Sequence, residues 1–145
     1  MNYDNRKPYK PNNSRDDRRN EEDAIVKKAK PMTELLSNYE EVYLPDGLAY
    51  NYASNFSRIE SHQMRKVLNQ VKEALAVDDF NMQKKKMFMI VVMTAYNAGR
   101  MSNLKGLYKF VAEYINEKTI TCENDIKEFD QFFTSIVAYH KQLKK

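Results

Sequence analysis

Glycine and proline are scarce in this chain, 3 and 4 residues of 145, against average usage of roughly 7% and 5%. Strands and their turns consume both, whereas long helices with short links do not, so the shortage points to an all-α protein. Tryptophan is absent and cysteine occurs once, at Cys122. A lone cysteine excludes an intrachain disulfide and fits a reducing, cytoplasmic compartment. Two histidines and one cysteine cannot assemble a His/Cys metal cluster. The longest apolar stretch, residues 87–93, is far short of the ~20 residues that cross a bilayer. No apolar run follows the polar start of the chain, so no signal peptide is read there. Gly47, Gly99 and Gly106 are too scattered to form a phosphate loop, and neither His62 nor His140 has a second histidine at metal-ligand spacing. With no catalytic constellation, the expectation is a protein that binds, without enzymatic activity, cofactor, metal or small-molecule substrate.

What the chain does have is charge, unevenly spread. Residues 1–31 carry nine Lys/Arg and six Asp/Glu, and residues 32–57 carry four acids and no Lys/Arg. Residues 58–109 carry ten bases and four acids, and residues 110–145 five and six. A basic middle between acidic stretches sets up a polarised field suited to an anionic partner.

Residues 1–31 are too polar to bury a core and read as a flexible charged tail, with room for a short helix over 21–28. Residues 32–145 read as one compact bundle of about five helices. Thr33 is a candidate N-cap for a helix through Tyr43, followed by a Pro45-Asp46-Gly47 turn and a segment with Leu48, Tyr52 and Phe56 at helical spacing. Ser57 and Glu60 have the spacing of a capping box. Next come Met64, Val67, Leu68, Val71 and Leu75, one apolar stripe, with Arg58, His62, Arg65, Asn69 and Lys72 on another face. Asp78 and Asp79 can cap a helix from Phe80 to Ala98, with Gly99 as its left-handed stop. Residues 87–96 are apolar nearly all round, which predicts the buried centre of the bundle. Ser102 can cap a helix to about Lys118, with Leu104, Leu107, Tyr108, Val111 and Ile115 inward. A last helix over about 124–141 carries Ile126, Phe129, Phe133, Ile136, Val137 and His140 inward. The eight methionines read mostly as core, Cys122 as a surface thiol, and Tyr96 and Tyr139 as hydroxyls that a partner could meet or that, if buried, bond within the protein.

Three basic groups carry the functional expectation. Arg58, His62, Arg65 and Lys72 form one group on a helix, with Lys66 splayed about 100° from its neighbour Arg65. Lys84, Lys85 and Lys86 lie early in the next, where the helix dipole disfavours cations by roughly 0.3–1 kcal/mol each. Arg100 and Lys105 straddle a helix end, with Lys109 one turn further on. Each group alone reads as a solubilising surface; together they suit a phosphate backbone.

Three blocks add a resemblance. Ile59-Glu-Ser-His-Gln-Met-Arg-Lys66, then Ala95-Tyr-Asn-Ala-Gly-Arg100, then Val137-Ala-Tyr-His-Lys141 behind Phe129 and Phe132 or Phe133, resemble in order and spacing the small subunit of type III-A CRISPR effector complexes, over about residues 48–145. The resemblance implies a non-catalytic five-helix bundle. It implies copies stacked along the guide RNA–target RNA duplex, beside backbone and large subunits, touching the nucleic-acid backbone without sequence specificity in antiviral defence. The family pattern falls on Arg65 and Lys66, on Gly99 and Arg100, and on Tyr139, His140 and Lys141. Glu60-Ser61 replaces a pair of small hydroxyl residues, and the N-terminal extension is long. The RNA-binding set is therefore Arg58, His62, Arg65, Lys66, Lys84, Lys85, Lys86, Arg100, Lys105 and Lys141. The expected partners are guide and target RNA, further copies of the chain and the other subunits, with no membrane. The rival readings are a helix-turn-helix DNA-binding regulator, with Asn103 and Lys105 opening its recognition helix, and a helical protein–protein adaptor using the acidic 32–57 segment.

Overall fold

A computed structural model describes residues 24–144, and among them the regular structure is entirely helical, as the composition predicts. The elements are α1 (Met32–Leu35), α2 (Tyr39–Tyr43), α3 (Leu48–Asn55), α4 (Ser61–Leu75), α5 (Phe80–Arg100), a 3₁₀ turn (Ser102–Leu104), α6 (Lys105–Tyr114) and α7 (Glu123–Lys144). α7 packs against α3 and α4, α5 against α4 and α6, and the short α1 closes onto α7.

Aromatic rings fill the centre. Phe110 of α6 lies 4.7 Å from Tyr52 and 4.8 Å from Tyr114 between ring centroids, and about 6 Å from Phe129, Phe132 and Phe133 of α7. Phe110, Phe132 and Tyr114 fall outside the predicted stripes, because the buried faces of α6 and α7 are wider than a single row of apolar residues. The Tyr52 and Tyr114 hydroxyls meet at 3.0 Å, and burial pushes both phenols above their usual range.

Several local expectations fail for identifiable reasons. The predicted helix from Thr33 to Tyr43 is two pieces, split at residues 36–38 where Leu36 turns fully inward. Thr33 is not the N-cap. Its amide instead donates to Asp125 Oδ1 at 3.0 Å, a cap supplied from 92 residues away. Ser57 does not open α4, because the chain first turns through residues 57–60 to bury Ile59, and Glu60 holds the N-cap position with no side-chain bond. Asp79 does cap α5, accepting from the Met82 amide. Gly99 is not a helix stop: α5 continues to Arg100 and then leaves through extended Met101, and no glycine has a positive φ. Gly47 is required for another reason, since a Cβ there would collide with the carbonyl oxygens of Glu41 and Leu44 while Asp46 takes the left-handed position.

α6 ends at Tyr114 rather than near Lys118. Asn116 Oδ1 accepts from the Lys118 and Thr119 amides, and its Nδ2 donates to Lys28 O, so its side chain replaces the helical pattern. That bond, Lys28 N to Glu113 O, and Met32 N to Thr119 O attach residues 28–32 to the bundle. Residues 24–28 are not helical, and the rest of the anticipated short helix, like most of the anticipated tail, lies outside the described residues.

Helix α5 is not buried on every side. Met87 and Ile90 face the core, but Met82, Met89, Val92, Met93 and Tyr96 are exposed, as is Met101 just past the helix end. Only one stripe of α5 meets α4 and α6, and none of the described helices covers the other face. Met32, Met64 and Met87 are core methionines as expected, whereas Met82, Met89, Met93 and Met101 are not.

Asp125 and His140 pin the two ends of α7. Asp125 is fully buried, and it accepts from the Thr33 and Thr121 amides and from the Thr121 hydroxyl. Burial would raise its pKa, but these donors outweigh it and hold the carboxyl below its ordinary 3.8. At the other end, buried His140 places Nε2 3.1 Å from Phe56 O and 2.9 Å from Ile59 O.

A depressed folded pKa makes ionised Asp125 stabilising above the ordinary carboxylate range, and that contribution disappears as pH falls through the folded value. Asp125→Asn should therefore cost about 2–3 kcal/mol in urea unfolding at neutral pH, and the wild-type advantage should shrink in acid. A constant difference from pH 7 to pH 3 would show that the charge is irrelevant. Gly99→Ala, where nothing lies within 4 Å of the added Cβ, should be neutral or stabilising by up to about 1 kcal/mol; a drop in thermal stability would restore the helix-stop reading.

Candidate nucleic-acid interface

Chain direction decides which cations meet. α4 and α5 are joined by residues 76–79 and run antiparallel, so the start of α4 lies beside the end of α5. α7 also opposes α4: Lys72, late in α4, pairs with Asp130, early in α7, while late His140 reaches residues 56–59. Asn103 Nδ2 donates to Arg58 O at 3.5 Å, and Lys144 Nζ to Ser57 O at 3.3 Å. One end of the bundle thus gathers residues 57–66, 100–105 and 140–144.

That end holds Arg58, Arg65, Lys66, Arg100, Lys105, Lys141 and Lys144 against one carboxylate, Glu60. All seven cations are exposed, and so is His62. Among the described residues none of the seven is in an ion pair; the pairs are Lys28–Glu113 at 3.2 Å and Lys72–Asp130 at 3.0 Å. Arg100 lies 5.6 Å from the Tyr96 ring centroid, a cation–π contact that leaves its outer donors in solvent. Arg100, Lys141 and Lys144 stand at the C-terminal ends of α5 and α7, where the helix dipole favours positive charge. Arg65 and Lys66 lie early in α4 and Lys105 opens α6, where the dipole gives no such support.

Lys84, Lys85 and Lys86 lie elsewhere. Fifteen residues separate Lys85 from Arg100, which is about 22 Å along a straight helix. Lys84 is half-buried with its ammonium 5.5 Å from the Phe80 ring. Lys85 and Lys86 border a 290 Å³ hollow between α4 and α5 with Gln70, Glu73, Met82, Met89 and Met93. Seven of the ten predicted site residues are brought to one end of the molecule, and these three are not. Lys144 joins the seven although it lies beyond the predicted end of the last helix at residue 141; three further helical residues carry it over Ser57.

A second hollow of about 50 Å³ opens inside the basic end, lined by Ser61, Arg65, Val137, His140 and Lys141. His140 is 1% exposed, and its Nδ1 is buried with no hydrogen-bond partner. Tyr139 donates its hydroxyl to Tyr43 O at 2.7 Å, the internal bond that a tyrosine taken out of solvent favours, whereas Tyr96 is 61% exposed. Cys122 is exposed, as its polar surroundings predict. Among the described residues no group of His, Cys, Asp and Glu has the geometry of a metal site, and no helix is long and apolar enough to cross a membrane.

A family model described as Csm2 Type III-A matches residues 23–145, which is most of the chain and includes every residue of the basic end. No curated protein and no solved structure matches it.

Proposed function

The chain belongs to the Csm2 family of type III-A CRISPR small subunits, and from that premise we propose that it is a non-catalytic, cytoplasmic component that holds RNA by its sugar–phosphate backbone. The observation that carries this reading is the gathering of Arg58, Arg65, Lys66, Arg100, Lys105, Lys141 and Lys144 from three separate stretches onto one end, where Glu60 is the one acid of those stretches and, among the described residues, no ion pair engages the seven. Arginine and lysine on exposed helix ends suit phosphate oxygens and carry no base code, so binding is indifferent to sequence. The ligands are the guide and target RNA of the effector complex. One copy offers few contacts and binds feebly; copies held side by side bind strongly through effective concentration.

Stacking of copies is supported by two sets of exposed apolar residues that lie in opposite fields. Met82, Met89 and Met93 lie beside Lys85 and Lys86. Tyr39 is 62% and Leu44 55% exposed in the acidic segment, beside a hollow lined by Glu40, Glu41 and Asp46. Different patches meeting head to tail generate an open row of subunits, and opposite charge fixes the register. Methionine suits such a face because it adapts its shape.

Two experiments test these readings. Arg65→Ala with Arg100→Ala should leave far-UV circular dichroism unchanged. It should lower target-RNA retention by the assembled complex, and reduce the log–log salt slope by about 0.7 for each single-strand phosphate that is no longer neutralised. A fall in helicity, or unchanged retention, would remove both residues from the interface. Lys85→Glu with Lys86→Glu should weaken self-association in sedimentation, and Glu40→Lys with Glu41→Lys in a second copy should restore it. Failure of the paired reversal would show that these faces do not meet.

A further inference from the structure

The small hollow at the start of α4 has a chemistry of its own. Two carbonyl oxygens, Phe56 O and Ile59 O, face His140 Nε2 at 3.1 and 2.9 Å. Both are acceptors, so Nε2 carries the hydrogen, and in the neutral ring Nδ1 presents a lone pair. That lone pair lacks a partner and is closed to water in a ring lining the hollow, so a donor reaches it when the exposed Arg65 and Lys141 side chains at the rim move aside. Buried polar atoms are rarely left so in folded proteins.

The surroundings narrow what answers it. Arg65 and Lys141 line the hollow, Lys144 and Arg58 stand nearby, and Glu60 is the acid at this end. Ser61 and His62 open α4, whose N-cap Glu60 gives no side-chain bond to the first-turn amides. The rim therefore attracts an anion. A phosphate oxygen can only accept, however, so it satisfies Arg65, Lys141 and the helix amides but not Nδ1. Nδ1 needs a donor. The volume of about 50 Å³ suits a group the size of water, whose share of liquid is about 30 Å³, and is too small for a nucleobase. A hydroxyl beside a phosphate meets all three demands, and RNA supplies that pair at every nucleotide through its ribose 2′-OH.

We propose that the hollow takes the ribose 2′-hydroxyl of a bound RNA strand, donating to His140 Nδ1, while the adjoining phosphate lies on Arg65 and Lys141. This deepens the RNA-backbone reading above and rests on it. A backbone-binding surface indifferent to sequence thereby becomes selective for the sugar.

The test compares one sequence in four chemistries, as RNA, 2′-fluoro RNA, 2′-O-methyl RNA and DNA, binding to the full chain in low salt by fluorescence anisotropy. The 2′-fluoro strand keeps the RNA sugar pucker but cannot donate. RNA should bind about 3- to 10-fold more tightly than each of the others, the range expected of one net hydrogen bond. His140→Gln retains a donor for Phe56 O and Ile59 O and should lose the preference while still binding RNA. Should that variant misfold, ¹⁵N-histidine spectra of the wild type give the answer, with His62→Asn assigning the signals: Nδ1 of His140 should shift with RNA and not with the 2′-fluoro strand. Equal binding of all four strands, still reduced by Arg65→Ala, would overturn the hydroxyl site and leave the backbone reading intact. An Nδ1 signal unmoved by RNA would assign the hollow to water and overturn it equally. No binding of any strand, alone or in the assembled complex, would overturn both.

Discussion

Burial of α7 is the constraint on which the rest of the structure depends. Its Ile126, Phe129, Phe132, Phe133 and Ile136 are all fully buried, and full burial of each such side chain is worth roughly 1.5–3 kcal/mol. That drive alone does not fix how far α7 slides along the bundle, because aromatic contacts tolerate shifts. Polar bonds at its two ends do: Asp125 takes donors from Thr33 and Thr121, and His140 holds the carbonyls of residues 56 and 59. Each demands its own geometry and each is costly to break when buried. The apolar face supplies the energy and the two polar ends supply the register.

That register creates the basic end. If α7 ran alongside α4 in the same direction, Lys141 and Lys144 would lie by Lys72, and the basic end would keep only the cations of residues 58–66 and 100–105. The antiparallel arrangement of α4 with both α5 and α7 collects two helix C-termini at one end. Arg100, Lys141 and Lys144 are locally favoured there, whereas Arg65, Lys66 and Lys105 lie early in α4 and α6 without that support. Lys84–Lys86 lie early in α5 and beside methionines, away from that end.

The helical class, the five long segments and the core stripe of α4 were legible in the sequence because they rest on spacing, which is a local property. Asp79 was legible as a cap for the same reason. Thr33 was not, because its amide is satisfied by a carboxylate 92 residues away, and no local pattern records that. Gly99 misled because glycine's freedom is used only where the backbone demands it, and α5 simply passes through. The exposed face of α5 misled in the other direction: an apolar helix predicts burial but does not say against which molecule. Of the site, Arg58, Arg65, Lys66, Arg100, Lys105 and Lys141 could be named from sequence and Lys144 could not, while the separation of Lys84–Lys86 from them required the direction of each helix. The unpaired nitrogen of His140 had no sequence signal at all beyond its place on an apolar stripe.

Capping α1 from Asp125 has a consequence for how the protein is made. The first-turn amide of Thr33 finds its acceptor only after some ninety further residues have been synthesised, and the rings that enclose Tyr52 and Phe110 arrive with the same helix. On the ribosome the early helices must wait, open and unsheltered, until α7 emerges. The nascent chain spends that interval with its future interior in water, so conditions that slow translation late in the message would raise its exposure to chaperones and proteases.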